Sequence, residues 1–153
     1  MINVLFVCLG NICRSPMAEA LFRDLVKKQG LEDQIAVDSA GTSGWHLGSP
    51  PHKGTLEILR KYNIDAKGLS GRQLVKEDME KFDYIIGMDE SNIQNIHKLL
   101  GRPEHPVIVR LLDLTDKQKD VPDPYYTGDF QETYDLLEEG CRKLAEKIKD
   151  ERL

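Results

Sequence analysis

The sequence predicts an α/β protein of three layers, α/β/α, in which about four parallel, twisted strands carry helices on both faces in a Rossmann-like arrangement. Two observations predict it. Apolar runs of strand length alternate along the chain with stretches whose apolar residues recur at helical spacing. The strand-like runs are also continuous rather than alternating, as expected of a sheet covered on both sides.

The first strand is INVLFV (2–7), an unbroken apolar run. From Pro16 to Gln29, Met17, Ala18, Leu21, Phe22, Leu25 and Val26 recur at helical spacing, and Gly30 is a stop. Pro16 suits a first helical residue, and Ser15 before it reads as the N-cap. A strand at IAVDSA (35–40), a helix around Gly54 to Tyr62 and a buried strand at FDYIIGM (82–88) follow. Next come a helix from about Ser91 to Leu100 and a strand at PVIVRLL (106–112). The last helix, roughly Phe130 to Lys149, carries Phe130, Tyr134, Leu137, Cys141, Leu144 and Ile148 along one stripe. No linker-like composition shift or internal repeat divides residues 1–153, which read as one domain.

Composition narrows the function. Charged residues make up 31% of the chain and hydrophobic ones 40%, the balance of an ordinary globule. A formal charge of −5 argues against a broad basic surface, so nucleic acid is not an expected partner. The run MINVLFVCLGN has no basic leader and reads as a core strand rather than a signal peptide, and no membrane association is expected. Three cysteines give no disulfide framework; the expected setting is the reducing cytoplasm, with thiols free for chemistry. His46, His52, His97 and His105 show neither helical pairing nor ligand spacing, so no metal or other cofactor is expected.

Parallel sheets place their binding residues at the carboxyl ends of strands, and Cys8 begins where the first strand ends. Between Val7 and Pro16 the run CLGNICRS holds two of the three cysteines. Backbone amides of such a loop, with those of the helix first turn, can point inward and hold an anion. Gly10 and Asn11 suit its curvature, since both tolerate positive φ. Arg14 supplies a planar fork for two phosphate oxygens. The same positive field favours the thiolate of Cys8, which turns a small apolar residue into a nucleophile. Ser15 can donate its hydroxyl to the Cys8 sulfur, a role that competes with helix capping.

The run CLGNICRSP resembles the signature of low-molecular-weight protein tyrosine phosphatases, and DSAGT (38–42) and DPYYTG (123–128) extend the likeness along the chain. The resemblance implies the phosphotyrosine phosphatase I-like form of the fold. It also implies a metal-independent, two-step phosphomonoesterase that hydrolyses phosphotyrosine and small aryl phosphates through a phosphocysteine on Cys8. Inorganic phosphate would then act as product inhibitor, tyrosine-phosphorylated proteins or peptides would be the partners, and the chain would work as a monomer. By the same likeness Asn11 is held by a network that includes Ser39. Many members place a histidine before the pair seen here as Arg72-Gln73; LSGRQ (69–73) has none.

Expelling a tyrosyl oxygen requires a proton donor. Asp123 is the candidate, in a proline-bracketed loop after a strand, where the sheet brings it to the edge that holds Cys8. Once deprotonated, it would activate water in the second step. The alternative is that Asp-Pro-Tyr is simply a turn; Asp89 and Asp113 are reserve acids. Trp45 and Tyr125 are expected to flank the cleft and sandwich a phenyl ring, with Leu9 and Ile12 adding apolar contacts and Gly10, Asn11 and Cys13 completing the substrate loop. Core packing is the alternative for Trp45.

Related protein arginine phosphatases tend to carry threonine where this chain has Ile12, whose apolar side chain favours an aryl ester. Arsenate reductases share the scaffold but need further cysteines, and only Cys141 lies beyond the loop, on a buried stripe. Cys13 is expected to capture an oxidised Cys8 as a reversible disulfide, making the enzyme redox-sensitive. A competing reading from another class is a non-catalytic module that binds phosphate through amides and Arg14 alone.

Overall fold

The computed structural model describes residues 1–153 and shows four parallel strands in the order β2-β1-β3-β4. β1 spans Ile2–Cys8, β2 Ile35–Gly41, β3 Tyr84–Gly87 and β4 Val107–Arg110. Helices α1 (Arg14–Lys28), α2 (Lys53–Lys61), α3 (Asp78–Lys81), α4 (Glu90–Leu100), α5 (Pro124–Thr127) and α6 (Phe130–Arg152) complete the chain. The expected strand 106–112 ends at Arg110 and turns into a 3-10 helix, Leu111–Leu114. No helix is long and apolar enough to cross a membrane.

β1 lies inside the sheet, paired with β2 from Ile2↔Ile35 to Cys8↔Gly41 and with β3 from Val4↔Tyr84 to Val7↔Gly87. Successive side chains of a strand face opposite sides. Val4, Phe6 and Cys8 therefore join the larger core, where α1 and α6 pack and Phe6 meets Phe22 edge-on at 5.6 Å. Leu5 and Val7 join the smaller one with Phe82, Ile96 and Leu100. Cys141 is fully buried in the larger core.

Three four-residue elements, α3, α5 and the 3-10 helix, escaped sequence reading because four residues carry no periodicity. One of them, α5, replaces the expected loop at 123–128, with Asp123 as its N-cap. A second correction concerns the first helix: it begins at Arg14 with Cys13 in the cap position, so Ser15 is a helical residue and not the N-cap. Cys13 makes no side-chain cap, which leaves the first-turn amides without a side-chain partner.

Candidate active site

The loop from Cys8 to Ser15 is held by its carbonyls. Cys8 O accepts from Thr42 N at 2.9 Å, Leu9 O from Ser43 N at 3.0 Å and Ile12 O from His52 N at 2.7 Å. Cys13 O accepts from Thr55 Oγ1 at 3.1 Å. The amides from Leu9 through Ser15, by contrast, donate to no carbonyl or side chain of the protein. Consecutive free amides at the head of a fifteen-residue helix form an anion cradle. Positive φ falls on Asn11, at 56°, and not on Gly10. Gly10 answers a different need, since a Cβ there would lie 3.1 Å from the His46 ring. At Gly41 a Cβ would sit 2.9 Å from Leu9 O, so the end of β2 is pressed against the loop.

Behind the loop runs a chain of side-chain hydrogen bonds whose direction can be worked out. Ser39 Oγ donates to the Glu19 carboxylate at 2.6 Å, so it must accept from Asn11 Nδ2, 3.0 Å away. The other Nδ2 hydrogen goes to Ser15 Oγ at 2.7 Å. Ser15 thereby keeps its own proton, for which Cys8 Sγ at 3.0 Å is a nearer acceptor than Ala40 O at 3.5 Å. Asn11 Oδ1 accepts from the backbone N–H of Arg72 at 3.0 Å, which supplies support without a histidine at this point of the chain. Asn11 therefore serves as a brace: its side chain is spent inward and does not line the cavity. Burial pushes the Glu19 carboxyl above the usual carboxylate range, with the Ser39 hydrogen bond pulling the other way.

Arg14 is 2% exposed. Its Nη1 donates to Asp89 Oδ2 at 2.7 Å and to Val121 O at 2.9 Å, its Nη2 lies 3.5 Å from Asp123 Oδ2, and its Nε has no partner. The Nε/Nη2 edge is thus the one left for an anion. Burial alone would lower the guanidinium pKa; Cys8, Asp89 and Asp123 outweigh it and raise it. Asp89, a reserve acid by sequence, is occupied twice: it also accepts from Asn92 N at 2.7 Å as the N-cap of α4. Asp113 pairs with Arg110 at 2.7 Å and does not line the cleft.

In front of the loop opens a cavity of about 180 Å³. Cys8, Leu9, Gly10, Ile12 and Cys13 form one part of its wall, and Asp123 lies opposite Arg14, its Oδ1 accepting from Tyr125 N at 3.0 Å. Val121 N donates to Met88 O at 2.9 Å, which ties this segment to the end of β3. Trp45, 75% exposed, and Tyr125, 55% exposed, flank the opening as expected, and the core reading of Trp45 falls away. Tyr126 and His46 also line it, which sequence reasoning missed. Burial, with Cys8 and Asp123 nearby, pushes the Cys13 thiol up to about 12. Cys141 is pushed up by burial as well. No group of three or more His, Cys, Asp and Glu side chains gathers around a metal-sized space.

Fold and site define a protein with a cysteine-bearing βα loop, its amides unpartnered, at the carboxyl edge of a parallel sheet. The family model described as low molecular weight phosphotyrosine protein phosphatase matches residues 3–153. The chain is 53% identical to the low molecular weight protein-tyrosine-phosphatase YfkJ of Bacillus subtilis, over 99% of both chains. The crystal structure of YfkJ superposes with a TM-score of 0.96, covering 100% of this chain and 98% of that one. PtpA of Staphylococcus epidermidis, also called a low molecular weight protein-tyrosine-phosphatase, is 45% identical over 97% of this chain and 94% of its own. A Drosophila arginine phosphatase structure is 33% identical, with a TM-score of 0.87, over 98% of this chain and 99% of that one. The chain belongs to the low molecular weight phosphotyrosine protein phosphatase family.

Proposed function

We propose that the protein hydrolyses phosphotyrosine in proteins or peptides, and small aryl phosphates, through a phosphocysteine on Cys8. The observation that carries this reading is the thiol of Cys8 at the mouth of an unpartnered amide cradle, with Ser15 Oγ at 3.0 Å and Arg14 behind. A phosphate dianion would take the amides and the Nε/Nη2 edge of Arg14. Cys8 sulfur then attacks phosphorus, and the bond from phosphorus to the tyrosyl oxygen breaks. Asp123 delivers a proton to that oxygen as it leaves and afterwards takes one from the water that attacks the phosphocysteine. When this water releases phosphate, the Ser15 hydroxyl stabilises the departing thiolate. Inorganic phosphate, the second product, competes for the same amides.

Trp45, Tyr125 and Tyr126 at the rim suit an aromatic ring held above the cradle, a distance that phosphoserine is too short to span. Ile12, 9% exposed, puts an apolar wall where an aryl ester passes and supports phosphotyrosine over phosphoarginine. Asp123 caps α5 through Oδ1, and its Oδ2, set at the cleft beside Arg14, is the group that favours turnover over binding alone. In the oxidised enzyme, a Cys8 sulfenic acid and the Cys13 thiol would condense to a disulfide with loss of water. The raised Cys13 pKa makes this capture slow at neutral pH. Three free thiols, one of them the nucleophile, fit a reducing cytoplasm.

The test measures hydrolysis of phosphotyrosine and phosphoarginine peptides and of an aryl phosphate, with and without chelator, by the parent and by Cys8→Ser. The proposal expects chelator-resistant turnover of phosphotyrosine well above phosphoarginine, and none by Cys8→Ser. Turnover retained by Cys8→Ser excludes the covalent route, and preference for phosphoarginine assigns the sister activity.

A further inference from the structure

A second groove of about 400 Å³ adjoins the cleft and shares Leu9 and Trp45 with it as common walls. Its far side comes from α4, where Leu99 is 38% exposed and Lys98 is the one charged side chain in the groove. Lys98 takes part in none of the protein's ion pairs. As the sole charge in a groove without a carboxylate, it makes the groove a place that favours an anionic group.

A second observation points the same way. Only two buried side-chain polar atoms in the protein lack a partner: Arg14 Nε, behind the anion cradle, and Thr42 Oγ1, in this groove's wall. Buried polar atoms are nearly always satisfied, by protein or by ordered water, so the orphan marks a polar spot behind the groove wall. The amide of Thr42 donates to Cys8 O at 2.9 Å, which ties this groove's wall to the Cys8 loop.

We propose that this groove is a substrate subsite that binds the chain flanking the phosphotyrosine and selects an acidic side chain, read by Lys98. The inference rests on the phosphatase reading above. A tyrosyl ring against one face of Trp45 leads its neighbours over the other face and Leu9. With ~3.3 Å of chain per residue, the carboxylate that meets Lys98 belongs within about three residues of the phosphotyrosine. The apolar walls take the stem of that side chain.

The experiment compares kcat/KM for two phosphotyrosine peptides, one with glutamates and one with lysines at the three positions on either side, for the parent, Lys98→Ala and Lys98→Glu. An aryl phosphate with no flanking residues is the control substrate, and Lys143→Glu on α6 controls for net charge. At low salt the parent should prefer the acidic peptide; Lys98→Ala should lose about threefold of that preference and Lys98→Glu about tenfold. Aryl phosphate turnover should stay unchanged in every variant, and Lys143→Glu should leave the preference intact. A Lys98→Glu variant with the parent's preference, or a Lys143→Glu variant that shifts it equally, overturns the subsite. A parent that turns over neither peptides nor aryl phosphate overturns the phosphatase reading itself and takes the subsite with it.

Discussion

Replacing Asp89 by asparagine removes the charge and the acceptor that hold Arg14. Asparagine caps a helix as well as aspartate does, so α4 keeps its start through Oδ1, but the Oδ2 that accepts from Arg14 Nη1 becomes an NH2, which cannot accept. What goes is one negative charge 2.7 Å from a guanidinium that is 2% exposed, the aspartate side chain itself being 19% exposed. Removing one partner of a buried pair costs about 3–5 kcal/mol. Here Val121 O, which still accepts from Nη1, and the partial exposure of Asp89 reduce that to about 2 kcal/mol. For a chain of this length the melting temperature should fall by about 4–8 °C. Phosphate binding should move the other way, because the dianion no longer meets that carboxylate. The gain is about fivefold in affinity, or ~1 kcal/mol. Thermal unfolding and competitive inhibition by inorganic phosphate read the two effects. A variant with unchanged melting temperature and unchanged phosphate inhibition refutes the assignment of Asp89 as the guanidinium's holder.

Other outcomes follow from the same geometry. Asp123→Ala should slow phosphotyrosine turnover by at least about tenfold more than that of a nitrophenyl ester, whose leaving group needs no proton; equal losses point to another donor. Iodoacetamide at neutral pH should label Cys8 far faster than Cys13, held as a thiol up to about 12, or buried Cys141, and phosphate should protect Cys8. Peptide mass spectrometry reads the sites, and equal labelling contradicts the account. The raised folded-state pKa of Glu19 means that stability is greatest below its unfolded value and declines as pH rises through the folded one. Glu19→Gln should flatten that decline in urea titrations above about pH 4.5, the ordinary value; an unaltered slope removes Glu19 from the ledger.

Much of this site is legible in a contiguous run. Strand, loop and helix follow each other from Ile2 to Lys28, so the anion cradle could be read from local rules, including the left-handed Asn11. Ser15 illustrates the limit, because two roles fit its residue type and only the competing bonds to Cys8 and Asn11 decide between them. Glu19 left a faint signal, an acid beside Ala18 and Phe22 on the apolar face of α1. Asp89 was a reserve acid by its place near a strand end, but its hold on Arg14 left no signal: the two are 75 residues apart, and only the packing of β3 beside β1 brings them together. The second groove was equally invisible, being assembled from the Cys8 loop, the segment after β2 and the end of α4.

The central claim is that phosphate passes through the Cys8 sulfur. It is tested most directly by acid-quenching the enzyme during turnover of an aryl phosphate and locating the phosphoryl group by peptide mass spectrometry. The account predicts phosphate on the peptide containing Cys8, more of it in Asp123→Ala, whose second step lacks a base, and none in Cys8→Ser. Phosphate on another residue, or undiminished turnover with no phosphoenzyme in the parent, would contradict it.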